Sequence, residues 1–142
     1  MATVSVADRF TLRRDDTVLY SDFLSNLTPH PDSKQIVINK NEDAVMRSIR
    51  NLLLTNKFER PFRPSIGSRL NSFLFENISD QVTRAIEEEV IKTIEDHEPR
   101  ARLLEVVVAP VEDRNMYVIS IVFYTVNVET PTTFKVVLER VR

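Results

Sequence analysis

Apolar positions recur at helical spacing through the first part of this chain and at strand spacing through the last. From Asn41 onward, Val45, Ile49, Leu52 and Leu53 fall on one face, the pattern of an amphipathic helix. Asn41 is the expected N-cap, and Glu42 and Asp43 occupy the first turn, where the helix dipole favours acidic groups. This helix should run to about Thr55. A short helix carrying Leu70, Phe73 and Leu74 follows, ended by Phe75. Ser79 caps a third helix whose ladder is Val82, Ala85, Ile86, Val90 and Ile94, a span of about 27 Å from Asp80 to His97. Glu87, Glu88, Glu89, Lys92 and Glu95 form its expected solvated face.

The period changes at His97-Glu98-Pro99-Arg100. Proline lacks the donor N–H and clashes with the preceding turn, so Pro99 stops the helix. Beyond it, Leu104, Val106 and Val108 alternate with Leu103, Glu105 and Val107 up to Pro110. A polar turn at residues 111–115 leads into a second strand from Met116 to Val126, and Pro131 opens a third through Phe134, Val136 and Leu138. The fold class expected is α+β, with an N-terminal arm and three helices packed on a small C-terminal antiparallel meander. The second strand is largely apolar on both faces, Val118/Ser120/Val122/Tyr124 and Tyr117/Ile119/Ile121/Phe123. A sheet with helices on one side should be polar on the other, so either the arm or a partner should cover the second face.

Two regions lack a clear period. Residues 1–40 form an arm with apolar clusters at Val18-Leu19-Tyr20 and Phe23-Leu24, followed by Pro29-His30-Pro31; it is expected to be irregular and partly laid along another surface. Residues 41–142 form the single expected domain. Between the first two helices, residues 58–67 hold Pro61, Pro64 and Gly67. Such a loop should have fixed geometry, because proline pins φ and glycine permits positive φ.

With 42% apolar and 28% charged residues, the 142-residue chain has the composition of one globular domain. A net charge of −2 argues against nucleic acid as a partner. A basic band nevertheless runs through residues 47–69, with Arg47, Arg50, Lys57, Arg60, Arg63 and Arg69 against Glu59 alone. Its Phe58 and Phe62 give it a superficial likeness to aromatic-interleaved nucleic-acid surfaces. An acidic protein partner fits it as well, and so does pairing with the acidic third helix. Cysteine is absent, which removes disulfides and thiolate metal sites. No run approaches about 18 apolar residues, so no membrane span is expected. The start, MATVSVADRFTLRRDD, lacks the apolar core of a secretory signal, which points to folding in a cytoplasm.

Catalytic chemistry has little to build on. Glu59, Glu76 and Glu98 lie near apolar residues, but no spacing in sequence fixes the paired carboxylates that glycoside hydrolysis requires. His30 and His97 are the two histidines, without helical His-x-x-x-His spacing, so no metal ligands are assigned. His97 suits the C-terminal end of a helix dipole. No cofactor motif is present, since a single glycine excludes glycine-rich phosphate cradles.

The ordered motifs carry a resemblance. Arg47-Ser48-Ile49 with Asn51-Leu52-Leu53, then Arg60-Pro61-Phe62 with Pro64 and Gly67, then Leu74-Phe75-Glu76-Asn77, then Glu98-Pro99-Arg100 together resemble the baseplate wedge family of contractile phage tails. That family is also labelled lysozyme-like, and its relatives include the TssE component of type VI secretion. The resemblance covers about residues 41–142. It implies a structural sheath initiator in the virion baseplate, assembled in the host cytoplasm and present in multiple copies. Its implied partners are the wedge proteins and the tail sheath protein. On this chain, Glu98, Pro99, Arg100, Arg60 and Arg63 would contact the wedge, with Glu98 and Arg100 held outward by the corner. The strand with Phe134, Val136, Leu138 and Val141 would enter a sheet shared with the sheath. The family label also implies an alternative, a peptidoglycan hydrolase.

Overall fold

The computed structural model describes residues 18–23, 29, 34, 38–126 and 130–139. Two short strands, β1 (Ser21–Phe23) and β2 (Ile38–Lys40), pair antiparallel and lead into helix α1 (Asn41–Leu54). Helix α2 is a single turn, Leu70–Phe73, and α3 runs Asp80–His97. Three antiparallel strands close the fold in the order β3 (Ala101–Val111), β4 (Met116–Thr125) and β5 (Pro131–Glu139). The α+β meander expected from the sequence is the observed architecture.

Helix α3 begins where the sequence placed it. The Ser79 hydroxyl accepts from the Val82 N–H at 3.3 Å, satisfying one of the otherwise orphaned amides of the first turn. Its apolar face, with Ile86, Val90 and Ile94 fully buried, lies along β3 and against α1. Val45, Ile49 and Leu53 of α1 complete the helical side of the core. The inner sheet face supplies Val106, Val108, Ile119, Ile121, Phe123, Val136 and Leu138. Phe123 and Phe134 meet edge to face, with centroids 5.9 Å apart. Removing one such side chain, as in Ile86→Ala, costs about 2–5 kcal/mol because the lost burial leaves a cavity.

Two details differ from the expected pattern. Lys40, in extended conformation, is the residue before α1, while Asn41 starts the helix with φ of 48°. The Asn41 side-chain oxygen accepts from the amides of Leu19 at 2.8 Å and Tyr20 at 3.3 Å, and its own amide donates to the Tyr20 carbonyl at 2.8 Å. Asn41 therefore ties residues 19–20 to the body instead of capping a helix, and asparagine tolerates positive φ well. The second difference is a register shift between Leu103 and Glu105. The extra residue turns Leu104 outward, 53% exposed, while Leu103 lies opposite inward-facing Phe123; a bulge flips the side-chain alternation in this way. In β5, Val136 and Leu138 are each 3% exposed and belong to the core. Val141 lies outside the described residues.

The outer sheet face is mixed. Val107 and Val137 are exposed, and Val118, Val122 and Tyr124 are half-buried. Among the described strands, β3 and β5 each pair on one side only, with β4.

Candidate functional site

The corner at residues 98–100 is built around a buried carboxylate, Glu98. The Glu98 amide donates to the Ile94 carbonyl at 2.8 Å, closing α3, and the Ala101 amide donates to the Glu98 carbonyl at 3.1 Å. The Arg100 carbonyl accepts from Val126 at 2.9 Å, which fixes the corner to the end of β4. Pro99 is exposed, but Glu98 is only 3% exposed. Arg100 donates from Nε to Glu98 Oε1 at 2.6 Å and from a terminal nitrogen to Oε2 at 2.9 Å. The Ser48 hydroxyl of α1 donates to Oε2 as well. The guanidinium also lies over the Tyr20 ring, 5.7 Å from its centroid, within cation–π range.

The expectation that the corner holds both charges outward is therefore corrected. A buried carboxylate needs a hydrogen-bonded counter-charge, and Arg100 folds back as a two-pronged clamp to supply it. Burial pushes the Glu98 carboxyl up, but the hydrogen bonds from Arg100 and Ser48 outweigh it and hold the group below the ordinary range. For Arg100 the Glu98 hydrogen bond is the leading influence and raises its pKa, with Asp22 and Tyr20 adding to the same direction. The network thus joins α1, the α3 terminus and the β1 segment.

A second buried carboxylate organises the loop. Glu89, expected on a solvated face, is 5% exposed. Its Oε1 accepts from Lys57 Nζ at 2.9 Å and from the Arg69 amide at 3.1 Å, and Oε2 accepts from the Arg69 guanidinium at 3.3 Å. Burial raises its pKa, and these bonds reverse the shift and leave it lowered. Part of the basic band is thereby paired within the chain. The two ends of the loop meet in a parallel bridge between Asn56 and Ser68, and the Ser68 hydroxyl donates to the Leu53 carbonyl at 2.6 Å. Gly67 makes this closure possible. Its φ is 122°, and a Cβ there would lie 2.6 Å from the Thr55 carbonyl oxygen, far inside contact distance.

The frame leaves the loop's tip in solvent. The Phe58 amide donates to the Pro64 carbonyl at 2.9 Å and the Arg63 amide to the Arg60 carbonyl at 3.2 Å. Phe62 is 97% and Phe58 81% exposed, and Arg60 and Arg63 are exposed beside them. Arg60 also borders a hollow of about 280 Å³ together with Asp22, Ser48 and His97. The structure therefore brings Arg60 next to the corner network, while Arg63 belongs to the loop tip. Sequence reasoning had no signal for Ser48 and Tyr20 as members of the Glu98 site, because they lie 50 and 78 positions away in the chain. Phe58 and Phe62 were visible as aromatics in a basic band, but not as exposed ones.

Among the described residues, no group of three or more histidine, aspartate or glutamate side chains is placed to hold a metal ion. None of the helices described is long and apolar enough to cross a membrane.

Several known proteins are similar to this chain. Baseplate wedge protein gp25 of Enterobacteria phage T4 is 35% identical over 86 residues, covering 58% of this chain and 65% of that protein, just under two thirds of its length. A protein described as a candidate tail lysozyme from Geobacter sulfurreducens superposes with a TM-score of 0.68 at 27% identity, over 75% of this chain and 96% of that one. A chain of the anti-feeding prophage baseplate gives a TM-score of 0.60 at 26% identity, over 83% of each chain. A chain of the type VI secretion baseplate complex gives 0.59 at 11% identity, over 67% of this chain and 89% of that one, a likeness of fold. The family described as baseplate wedge protein gp25 matches residues 39–130, and with the greater part of its length inside that match, the chain belongs to this family.

Proposed function

We propose that this protein is a structural subunit of a contractile-tail baseplate that docks onto wedge proteins and starts sheath assembly by accepting a strand at the edge of β5. The observation that carries the docking half is the contrast within residues 56–69. The loop's frame is closed by buried Ser68 and Glu89, yet Phe58, Arg60, Phe62 and Arg63 stand in solvent. Exposed aromatics and arginines held in fixed geometry are the residue types that dominate protein interfaces, because little entropy is lost on binding. Arg60 and Arg63 make the charged wedge contacts in this reading, with Phe62 as the apolar anchor. Pro99 contributes exposed surface. Arg100, 32% exposed at its side chain, offers its outer face, and Glu98 acts by holding it.

On the sheath side, the row of Phe134, Val136 and Leu138 would be extended by the incoming strand, with affinity from backbone hydrogen bonds along the open edge. An unpaired edge is an aggregation hazard unless an assembly covers it. Residues 41–142 act as the assembly module and residues 1–40 as an accessory arm. The subunit works in several copies within the virion baseplate, after assembly in the host cytoplasm.

A structural role also fits the chemistry of Glu98 better than hydrolysis does. A general acid for glycoside cleavage needs a raised pKa, whereas Glu98 is lowered and already accepts three hydrogen bonds. The test is reconstitution with wedge and sheath proteins of the same tail, read by co-purification and hydrogen exchange. Co-purification with protection at the 56–69 loop and at β5 is expected. Failure to associate, together with clearing of purified peptidoglycan, would favour the hydrolase.

A further inference from the structure

The basic band leaves Arg50 outside the Glu89 and Glu98 networks, and the fold places it beside a strand distant in sequence. Helix α1 contacts β4 and β5, and between it and β5 lies a groove of about 420 Å³. Met46 and Phe134 give it an apolar lining, and among the described residues Arg47, Arg50, Lys135 and one carboxylate, Asp43, complete it. Arg50 and Lys135 are both exposed. Leaving aside Arg47, which has an interaction of its own, two exposed cations stand to one carboxylate among the described lining residues, a local excess opposite in sign to the chain's net charge of −2.

The groove lies against β5, which pairs with β4 alone among the described strands. Phe134 belongs to the inner row of β5 and Lys135 to the outer row, as their partners Ile121 and Ser120 show. A strand added beside β5 would bring side chains of both rows into the neighbourhood of these cations, since a strand alternates its side chains between faces.

We infer that the α1–β5 groove selects an acidic extended segment of a partner chain, one with apolar residues against Met46 and Phe134 and carboxylates against Arg50 and Lys135. This rests on the proposal that β5 accepts a strand, and it adds the chemistry of the segment accepted. Charge complementarity of this kind sets partner choice and register more than raw affinity. The apolar lining explains why a purely acidic tail would not suffice.

The test uses three labelled peptides of about ten residues, near the upper length of ordinary strands. One alternates valine with glutamate, and the others carry glutamine or lysine in place of glutamate. Anisotropy with the full chain should show the glutamate peptide binding about tenfold more tightly than the lysine peptide, the sum of two or three exposed ion pairs, with the glutamine peptide between them. The double variant Arg50→Glu/Lys135→Glu, exposed at both positions and checked for unchanged circular dichroism, should invert the order. A fourth peptide, the glutamate sequence N-methylated at alternate residues, cannot complete a ladder and should bind far more weakly. Equal binding of the glutamate, glutamine and lysine peptides, or an order unchanged in the double variant, overturns the acidic preference and leaves strand addition standing. Undiminished binding of the N-methylated peptide with the charge order kept supports the groove and removes strand addition. No binding by any peptide up to ~1 mM overturns both.

Discussion

Arg100→Ala tests the most consequential correction, that the pair of charges at the corner is an internal clamp. Truncation removes two hydrogen bonds, of 2.6 and 2.9 Å, from a carboxylate that is 3% exposed, leaving the Ser48 hydroxyl as its remaining side-chain donor among those described here. Stripping one partner from a buried ion pair costs about 3–5 kcal/mol, because the other charge stays buried without compensation. Arg100 is itself 32% exposed, so water can reach the gap, and the lower end, about 3 kcal/mol, is expected. For a chain of this size that is a fall of roughly 6–12 °C in Tm. The loss should depend on pH. In the native chain Glu98 is depressed, so its contribution is fully present above the unfolded value of about 4.3 and is lost as pH falls through the lower folded value. In the variant, burial dominates and raises Glu98, a penalty that is relieved by protonation. The two stability curves should therefore converge as pH falls from neutral to about 3. Urea unfolding followed by circular dichroism at several pH values measures this. A loss below about 1 kcal/mol at neutral pH, or one independent of pH, would refute the clamp.

Three further outcomes follow from the loop and its frame. Gly67→Ala should cost about 2–4 kcal/mol by thermal unfolding, since it combines a positive φ of 122° with a Cβ 2.6 Å from the Thr55 oxygen. Glu89→Ala should cost about 1–3 kcal/mol, because Lys57 and Arg69 lose their shared acceptor; limited trypsin digestion should then cut faster after Lys57 and Arg69, whereas Arg60 and Arg63 each precede a proline and resist it. Phe62→Ala, at a side chain 97% exposed, should leave stability within about 0.5 kcal/mol while weakening wedge association in a pull-down.

The periodic elements were legible in the sequence because their signals are local. Ser79 and the ladder through Ile94 mark α3 to the residue, and the shift to period two after Pro99 marks the meander. What escaped was set by distant partners. Glu89 sits among three other glutamates on the same helix, and only the fold, by bringing Lys57 and Arg69 across to it, separates it from its neighbours. Glu98 and Arg100 were found as a motif, but their direction depends on Ser48, 50 residues earlier. The Leu104 bulge adds one residue to a strand without changing its composition, so alternation alone assigns Leu103 and Leu104 to the wrong faces. Asn41 has the side chain of a helix cap, and its use as a tether to Leu19 and Tyr20 appears only when the N-terminal strands are in place.

The central claim is that this chain joins wedge to sheath, and its most direct measurement is electron microscopy of tails from producing cells in which its gene is deleted and then restored. The deletion should yield no tails with extended sheath anchored on a baseplate, the wild-type gene should restore them, and a gene carrying Arg60→Ala, Phe62→Ala and Arg63→Ala should not, although its product folds normally. Complete, sheathed tails in the deletion strain would contradict the account.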